Sequence, residues 1–340
     1  MDDIRFGIVG LGSIGGRHAA VVEGTDRAVV AAGCDIDATR MKPFQERHPQ
    51  APFYTNFTDF LDKAPVDVVS ICTPHGLHAT MAIEAARHGR HILVEKPMAL
   101  TVHEAEAMIR VAQEAGVHLM VVKQNRYNTP IALVKKALED NRLGKVFMVQ
   151  CNVLWNRSQE YYNESNWRGK RMLEGGVLHT QVSHFIDLMI WWFGEIHDVR
   201  ARVSTKNHQI EIEDCGVAEL EFDSGVMGSL TWTTCVYNKN YEGSLTIVGE
   251  KGMVKIGGQY LNKIEFWDVQ SYPMPDGLKF EDKPNAYGGK YQGSSSNHDQ
   301  VMGDVVAELL GERHNVVEGD EGIKTIKAIE RIYAAARKSP

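Results

Sequence analysis

Arg5-Phe6-Gly7-Ile8-Val9-Gly10-Leu11-Gly12-Ser13-Ile14-Gly15 runs from an apolar segment through spaced glycines into a helical pattern. The segment Arg5 to Gly10 reads as a buried strand, and Gly10-x-Gly12-x-x-Gly15 stands at the strand-to-helix junction that a dinucleotide fingerprint requires. Each glycine has its own reason. Gly10 permits the tight turn, Gly12 lets the backbone approach a pyrophosphate, and Gly15 lets helix and strand pack closely. A helix opening at Ser13 and Ile14 offers N–H groups without intrahelical partners, and these suit phosphate oxygens.

Working outward, short apolar runs alternate with helical spacing. Ala28 to Asp35, Val66 to Cys72, His91 to Val94 and Val117 to Val122 read as further strands; Ser13 to Glu23, Ala38 to Arg47, His78 to His88 and His103 to Ala115 carry apolar residues three and four apart. This alternation predicts an α/β fold with a doubly wound parallel sheet; a flavodoxin-like arrangement shares it, and the glycine motif decides for residues 1–123 as a Rossmann-type domain that binds NAD. After residue 124 the rhythm changes. One helix is predicted at Pro130 to Asn141, a strand at Val146 to Trp155 and a long helix at about Leu178 to Phe193. The strands Val199 to Ser204, Val217 to Phe222, Val226 to Cys235, Ser244 to Val248 and Lys263 to Val269 follow, and helices at Asn297 to Leu310 and Glu321 to Arg337 close the chain. Residues 124–340 are therefore expected to form a second α/β domain around a large, open, mainly antiparallel sheet. Such a sheet must cover its second face, and a further subunit is a common cover, so this domain is expected to bind substrate and to mediate a homo-oligomer, a dimer or tetramer.

Composition narrows the class. The 340 residues are 43% hydrophobic and 24% charged, with 37 Lys and Arg against 44 Asp and Glu. A net charge of -7 argues against a general nucleic-acid or anionic-membrane binder. The longest apolar run, Phe185 to Gly194, is broken by Asp187 and is about half the ~20 residues of a membrane span. The N-terminus enters a strand without a basic-then-apolar segment, so no signal peptide is expected. Five scattered cysteines without a C-x-x-C pair suit a reducing cytoplasm. His75 and His78 make an isolated pair, and no metal site is expected.

Cys34-Asp35-Ile36-Asp37 ends the second strand. A carboxylate here accepts hydrogen bonds from the adenosine ribose and repels a 2′-phosphate, which favours NAD over NADP. Arg40 is the competing feature, because an arginine just past this strand suits that phosphate. Glu95-Lys96-Pro97 lies at the C-terminal end of the fourth predicted strand, the edge where ligands collect on such sheets. A desolvated lysine beside a cationic nicotinamide has a lowered pKa and is fitted to exchange a proton with a hydroxyl.

Gly10-x-Gly12-x-x-Gly15, Thr73-Pro74-x-x-x-His78 and Glu95-Lys96-Pro97 together resemble the glucose-fructose oxidoreductase/inositol dehydrogenase/rhizopine catabolism (Gfo/Idh/MocA) family. The resemblance implies that Thr73, Pro74, His78, Glu95, Lys96 and Gln124 join Gly10, Gly12, Ser13, Ile14, Gly15, Asp35 and Ile36 around the cofactor. It also implies that Lys96 sits at the nicotinamide and that a sugar or polyol hydroxyl reacts. In the second domain the family pattern has an acid or amide four residues before a histidine, after a glycine pair. Here Gly175-Gly176 is followed by Thr180 and His184, one helical turn apart on one face. The catalytic candidates are thus Lys96, His184 and Thr180. The departure at Thr180 removes the family's carboxylate, leaving proton handling to Lys96 and His184.

Lys123 to Asn128, Trp155 to Tyr162, Trp167-Arg168-Gly169, Gln181-x-Ser183-His184 and Tyr291 to His298 are similar to the UDP-N-acetylglucosaminuronate 3-dehydrogenases. That likeness implies oxidation of the C3 hydroxyl of a UDP-linked hexuronate, with Lys96, Asn125, Arg157, Tyr161, Arg168, Thr180 and His184 at the substrate. Guanidinium groups suit its carboxylate and diphosphate. Backbone N–H groups near residues 293 to 296 suit phosphate or uridine, and a flexible loop explains the same composition equally well. Glu174 stands where many members have a third glycine. The rival expectations are an inositol or free-sugar dehydrogenase, an NAD-dependent glycosidase, and a non-catalytic dinucleotide-binding sensor.

Overall fold

The computed structural model describes residues 3–278, 280, 284–287 and 291–338. From the N-terminus these form β1 (Ile4–Val9), α1 (Ser13–Glu23), β2 (Ala28–Cys34), α2 (Ala38–Arg47), β3 (Phe53–Tyr54), α3 (Phe57–Lys63), β4 (Val68–Ile71), α4 (His78–Arg87), β5 (His91–Val94), α5 (Val102–Ala115) and β6 (Leu119–Val121). Then come α6 (Thr129–Glu139), β7 (Val146–Leu154), α7 (Gln159–Asn163), α8 (Arg171–Glu174), a π-turn (Leu178–Val182), α9 (Ser183–Phe193), β8 (Ile196–Ser204), β9 (Cys215–Phe222) and β10 (Met227–Thr233). The chain continues through β11 (Glu242–Gly249), β12 (Gly252–Gly257), β13 (Lys263–Val269), β14 (Pro284–Tyr287), β15 (Tyr291–Ser295), α10 (His298–Leu309), β16 (Val317–Glu318) and α11 (Gly319–Lys338).

The chain packs as two units, residues 1–123 with 298–326, and residues 124–297 with 327–340. The boundary after Lys123 is where the alternation of strand and helix stops. The expectation that residues 124–340 stay together is corrected at residues 298–326, which belong to the first unit: Val317, Ile323 and Ile326 complete its core with Val94, Met98 and Val121.

In the first unit the sheet order is β16-β6-β5-β4-β1-β2-β3. All its pairs are parallel except the edge pair of β16 with β6. Stripped of β16, this is the 3-2-1-4-5-6 order of the doubly wound dinucleotide fold, with its topological switch between β1 and β4. Sequence fixes the elements locally. The four residues Val68–Ile71 are all buried, as expected for a strand covered on both faces. α5 opens with a capping box, Thr101 with Glu104, and ends at Gly116 with φ 66°.

The second unit is built on the order β13-β12-β11-β7-β10-β9-β8, antiparallel throughout except for the parallel pair β10 with β7. Alternating burial along β9, with Gly216, Ala218, Leu220 and Phe222 inward, marks a sheet with one face on the core. Phe185, Ile186, Leu188 and Met189 of α9 fill that core together with Trp155 and Trp232, each 1% exposed. Truncating either tryptophan to alanine costs about 3 to 5 kcal/mol by the usual large-to-small rule. Asp187, which interrupts the apolar run, forms a buried bidentate pair with Arg126 at 2.8 and 2.9 Å.

Candidate active site

The first unit gathers its predicted residues at the C-terminal ends of β1, β2, β4 and β5. Gly10 has φ 89°, and a Cβ there would lie 2.7 Å from the Cys72 carbonyl oxygen. A Cβ on Gly15 would overlap the Gly10 carbonyl. α1 begins at Ser13 with Gly12 as a cap that supplies no side-chain acceptor, so the first-turn amides of this helix end are left for a phosphate. These features fit the loop to a dinucleotide.

Asp35, 7% exposed, accepts the Leu11 amide at 2.7 Å through Oδ2 and the Asp37 amide at 2.8 Å through Oδ1. It thereby clamps the glycine loop to the end of β2. The cap of α2 is Asp37, which accepts from Thr39. Arg40 lies 3.9 Å from Asp35 and 3.5 Å from Asp37, so two carboxylates hold the guanidinium that would otherwise favour a 2′-phosphate. Ile36 beside them is 91% exposed.

Thr73 and Pro74 follow β4. His78 connects this turn to the next loop: Nε2 lies 2.9 Å from the Thr73 carbonyl oxygen and Nδ1 lies 2.8 Å from that of Pro97. Burial lowers its pKa, the two carbonyls oppose that shift, and a neutral ring with its single N–H donates to one of them at a time. Lys96 is half-buried, its amide donates to Glu95 Oε2 at 3.1 Å, and its peptide bond to Pro97 is cis.

Glu95 is turned inward. Its Oε1 meets His18 Nε2 at 2.9 Å and His298 Nε2 at 3.2 Å, and His18 Nδ1 lies 2.7 Å from Ser70 Oγ. Burial alone would raise the pKa of Glu95, but the hydrogen bonds from His18 and His298 hold it well below the ordinary range. For His18 burial opposes the charge, while Cys72 and Glu95 raise its pKa to about 10. The result is an ion pair beneath Lys96, flanked by His298, whose pKa burial lowers. These three side chains also converge closely enough to ligate an ion. Sequence reasoning assigned Glu95 to the cofactor and missed His18, while His298 appeared only as part of a stretch of family likeness.

The second unit holds the substrate candidates. Gln124 and Asn125 are buried, and Asn125 Oδ1 has no hydrogen-bond partner among the described residues. Arg157, 4% exposed, donates to Gln181 Oε1 at 2.9 Å and Asn240 Oδ1 at 3.1 Å, so it ties the loop after β7 to the π-turn. Its Nε is buried without a hydrogen-bond partner among the described residues. Tyr161 receives Gln181 Nε2 at 3.3 Å. Arg168 lies 4.2 Å from the Tyr161 ring centre and lines an open cleft of about 580 Å³ with Asn166, Lys170 and Gln209. The Gly-Ser stretch forms part of β15 as far as Ser295, and residues 288–290 before it lie outside the described residues.

Thr180 lies in the π-turn and His184 at the start of α9, which splits the single helix expected from the sequence. Both are buried, at 7% and 5% exposed. Thr180 Oγ1 donates to Glu174 Oε1 at 2.9 Å, a contact the sequence did not announce. Glu213, also missed, receives the Leu178 amide at 3.1 Å and the Tyr333 hydroxyl at 2.6 Å. Burial raises its pKa to about 7, against the restraining Tyr333 bond.

A glycine loop clamped by a carboxylate, on the switch point of a 3-2-1-4-5-6 sheet, defines an NAD-binding Rossmann unit, whereas the lining of the cleft in the second unit includes none of Lys96, Thr180 and His184. Residues 4–123 match the NAD-binding Rossmann fold of an oxidoreductase family and residues 131–255 match the Gfo/Idh/MocA C-terminal domain. The chain belongs to the Gfo/Idh/MocA family and is an NAD-dependent dehydrogenase. It is similar to the WlbA dehydrogenase from Bordetella pertussis, solved in complex with NADH and UDP-GlcNAcA: 37% identity, 98% of this chain, 97% of that one and a TM-score of 0.88. The WlbA dehydrogenase from Chromobacterium violaceum, with the same ligands, is also 37% identical, over 99% of this chain and 94% of that one, with a TM-score of 0.91. The myo-inositol 2-dehydrogenase of Thermotoga maritima is 24% identical over 74% of each chain. The expectation of a non-catalytic sensor gives way to an enzyme.

Proposed function

We propose that this enzyme oxidises the C3 hydroxyl of a UDP-linked N-acetyl hexuronate to a ketone. The observation that carries this reading is the 37% identity, spanning 98% of the chain, to a dehydrogenase that holds NADH and UDP-GlcNAcA. The cleft beside Arg168 and Lys170 has the charge that a carboxylate or diphosphate requires. Asn166 and Asn163 there supply neutral hydrogen bonds.

NAD supplies the hydride acceptor when bound. The protein's part is to take the hydroxyl proton and to hold the sugar in near-attack geometry. Lys96 and His184 are the proton acceptors in this reading, with Thr180 orienting the hydroxyl. His78 and Glu95 act at one remove, by fixing the loops on either side of Lys96. Asn125, Tyr161 and Arg168 contact substrate, and Arg157 acts through Gln181.

Inositol or free-sugar oxidation is the second reading. It is favoured by the neutral Thr180 and by relatives named as dehydrogenases of inositol and levoglucosan. Formation of NADH with UDP-N-acetyl hexuronates, UDP-hexoses, free hexoses and inositols decides between them. Turnover confined to inositols or free sugars would overturn the nucleotide-sugar reading.

We also infer a cytoplasmic homo-oligomer. No described helix is long and apolar enough to cross a membrane. The outer face of the second sheet carries a row formed by Met227, Met148, Val248 and Met253 on the adjacent strands β10, β7, β11 and β12. Its three methionines are 59, 44 and 38% exposed, and a second copy of the chain is the partner proposed to cover them.

A further inference from the structure

In the second unit one buried carboxylate has partners in the candidate substrate region. Glu174 ends α8 and is 1% exposed. One oxygen accepts the amide of Gly169, the residue after Arg168, and the other accepts the Thr180 hydroxyl at 2.9 Å. The carboxylate thus joins the loop that lines the cleft to the turn that precedes His184.

The chemistry of Thr180 follows from having a single proton to donate. The acceptors within reach include Glu174 Oε1 at 2.9 Å and the Gly176 carbonyl at 3.1 Å. A carboxylate forms a charge-assisted bond and wins that competition. With its proton committed, the hydroxyl can only accept from any further partner.

We propose that Glu174 is a positioning residue that fixes Thr180 as a hydrogen-bond acceptor, so that the site recognises a donating sugar hydroxyl in preference to the ketone formed from it. This rests on the dehydrogenase reading and not on which sugar is oxidised. A neutral Glu174 reverses the polarity: it donates to Thr180, whose own proton then turns to Gly176 or to the ligand. The ionisable groups around Glu174 include Arg168, Arg157, Tyr161 and Tyr162. Burial raises the Glu174 pKa, while the Gly169 amide, the Thr180 hydroxyl and the two arginines restrain the rise. Protonation of Glu174, and with it the switch in polarity, therefore comes at higher pH than for an exposed carboxylate.

The test uses whichever sugar of the panel reduces NAD⁺, so a wrong substrate assignment leaves it intact. Glu174→Gln keeps the size of the side chain and can still accept the Gly169 amide while its NH₂ faces Thr180. KM for the alcohol is expected to rise about 10-fold, as for loss of one charge-assisted bond, and inhibition by the ketone product is expected to hold or tighten. A rise in KM as pH falls is expected of the wild type and should be absent from this variant. Thr180→Ser, which keeps a hydroxyl for Glu174, should retain the dependence of KM on pH, and Thr180→Val should copy Glu174→Gln. In the Thr180→Val background, adding Glu174→Gln should change KM less than about 2-fold, since the two act through one bond. If Glu174→Gln does not fold, the Ser and Val variants decide the matter alone. An unchanged KM and pH profile in Thr180→Val, or equal losses from Glu174→Gln with and without Thr180, overturns the proposal. An infrared carboxyl band, assigned by its loss in Glu174→Gln, adds a readout free of turnover. It should titrate at higher pH in Thr180→Val, and a band that stays in place counts against the proposal.

Discussion

Asp35 and Leu11, 24 residues apart, are joined by a 2.7 Å hydrogen bond from the backbone amide to the carboxylate. The same carboxylate lies 3.9 Å from the Arg40 guanidinium. Asp35→Ala therefore removes a loop clamp and releases a cation together. The expected result is a fall of about 10- to 100-fold in kcat/KM for NAD, the range for one or two hydrogen bonds to a charged group. The ratio of NADP to NAD activity should rise by about 10-fold. Steady-state kinetics with both cofactors checks this, and an unchanged ratio would show that Arg40 has no access to the phosphate.

Neighbours fix the loop that carries Lys96: its amide donates to Glu95, and His78 Nδ1 lies 2.8 Å from the carbonyl oxygen of Pro97. Lys96→Met keeps the stem and deletes the amine, so the loop should persist. A drop of about 10²- to 10⁴-fold in kcat is expected, the usual range for an acid–base group. NADH affinity, read by fluorescence titration, should change by less than about 3-fold, because the loss falls on the reacting state. Unchanged turnover would remove lysine from the mechanism.

Glu213 gives stability a pH dependence. Its pKa is raised from 4.5 to about 7, first by burial. Between these values the folded chain holds a proton that the unfolded chain has released, so stability falls as pH rises through this window. Above the window a charge sits beneath the π-turn amides. Glu213→Gln still accepts from Tyr333 and Leu178 and never ionises. It should match the wild type near pH 4 and exceed it at pH 8 by about 2 to 3 kcal/mol, since the wild type loses up to ~1.4 kcal/mol for each pH step across the window. Denaturant melts at the two pH values measure it, and a constant difference would exclude Glu213 as the titrating group.

Much of the first unit is legible in sequence because its signals are local. The glycine turn and the continuous apolar runs of β4 and β5 each lie within a few residues. β3 has two residues, too few for any periodicity, and β12 begins and ends in glycine and resembles a turn. What sequence could not supply were meetings at long range. Glu95 lies 77 residues from His18 and 203 from His298, and the return of α10 to the first unit is what unites them. Glu174 and Thr180 are only six residues apart, yet Gly175, at φ 92°, turns the chain between them, so helical spacing did not predict their bond. The π-turn was hidden because its residues continue the apolar pattern of α9.

Register gives the outer sheet face the continuous apolar row on which the proposed contact with a second copy rests. Met227 stands opposite Met148, Met148 opposite Val248, and Val248 opposite Met253, so the exposed side chains form one row across four strands. Covering a methionine stabilises an interface by ~1.5 to 3 kcal/mol when the side chain is fully buried, whereas placing an unpaired carboxylate there costs more than that gain. Met148, in the middle of the row, is the most sensitive position. Met148→Glu should lower the mass measured by light scattering toward that of one chain. Its melting curve, extrapolated to the monomer, should stay close to that of the parent, because the side chain faces away from the core of its own sheet. A mass that does not change, in the presence of a buried glutamate, is incompatible with an interface through this row and would move the oligomer contact to another face.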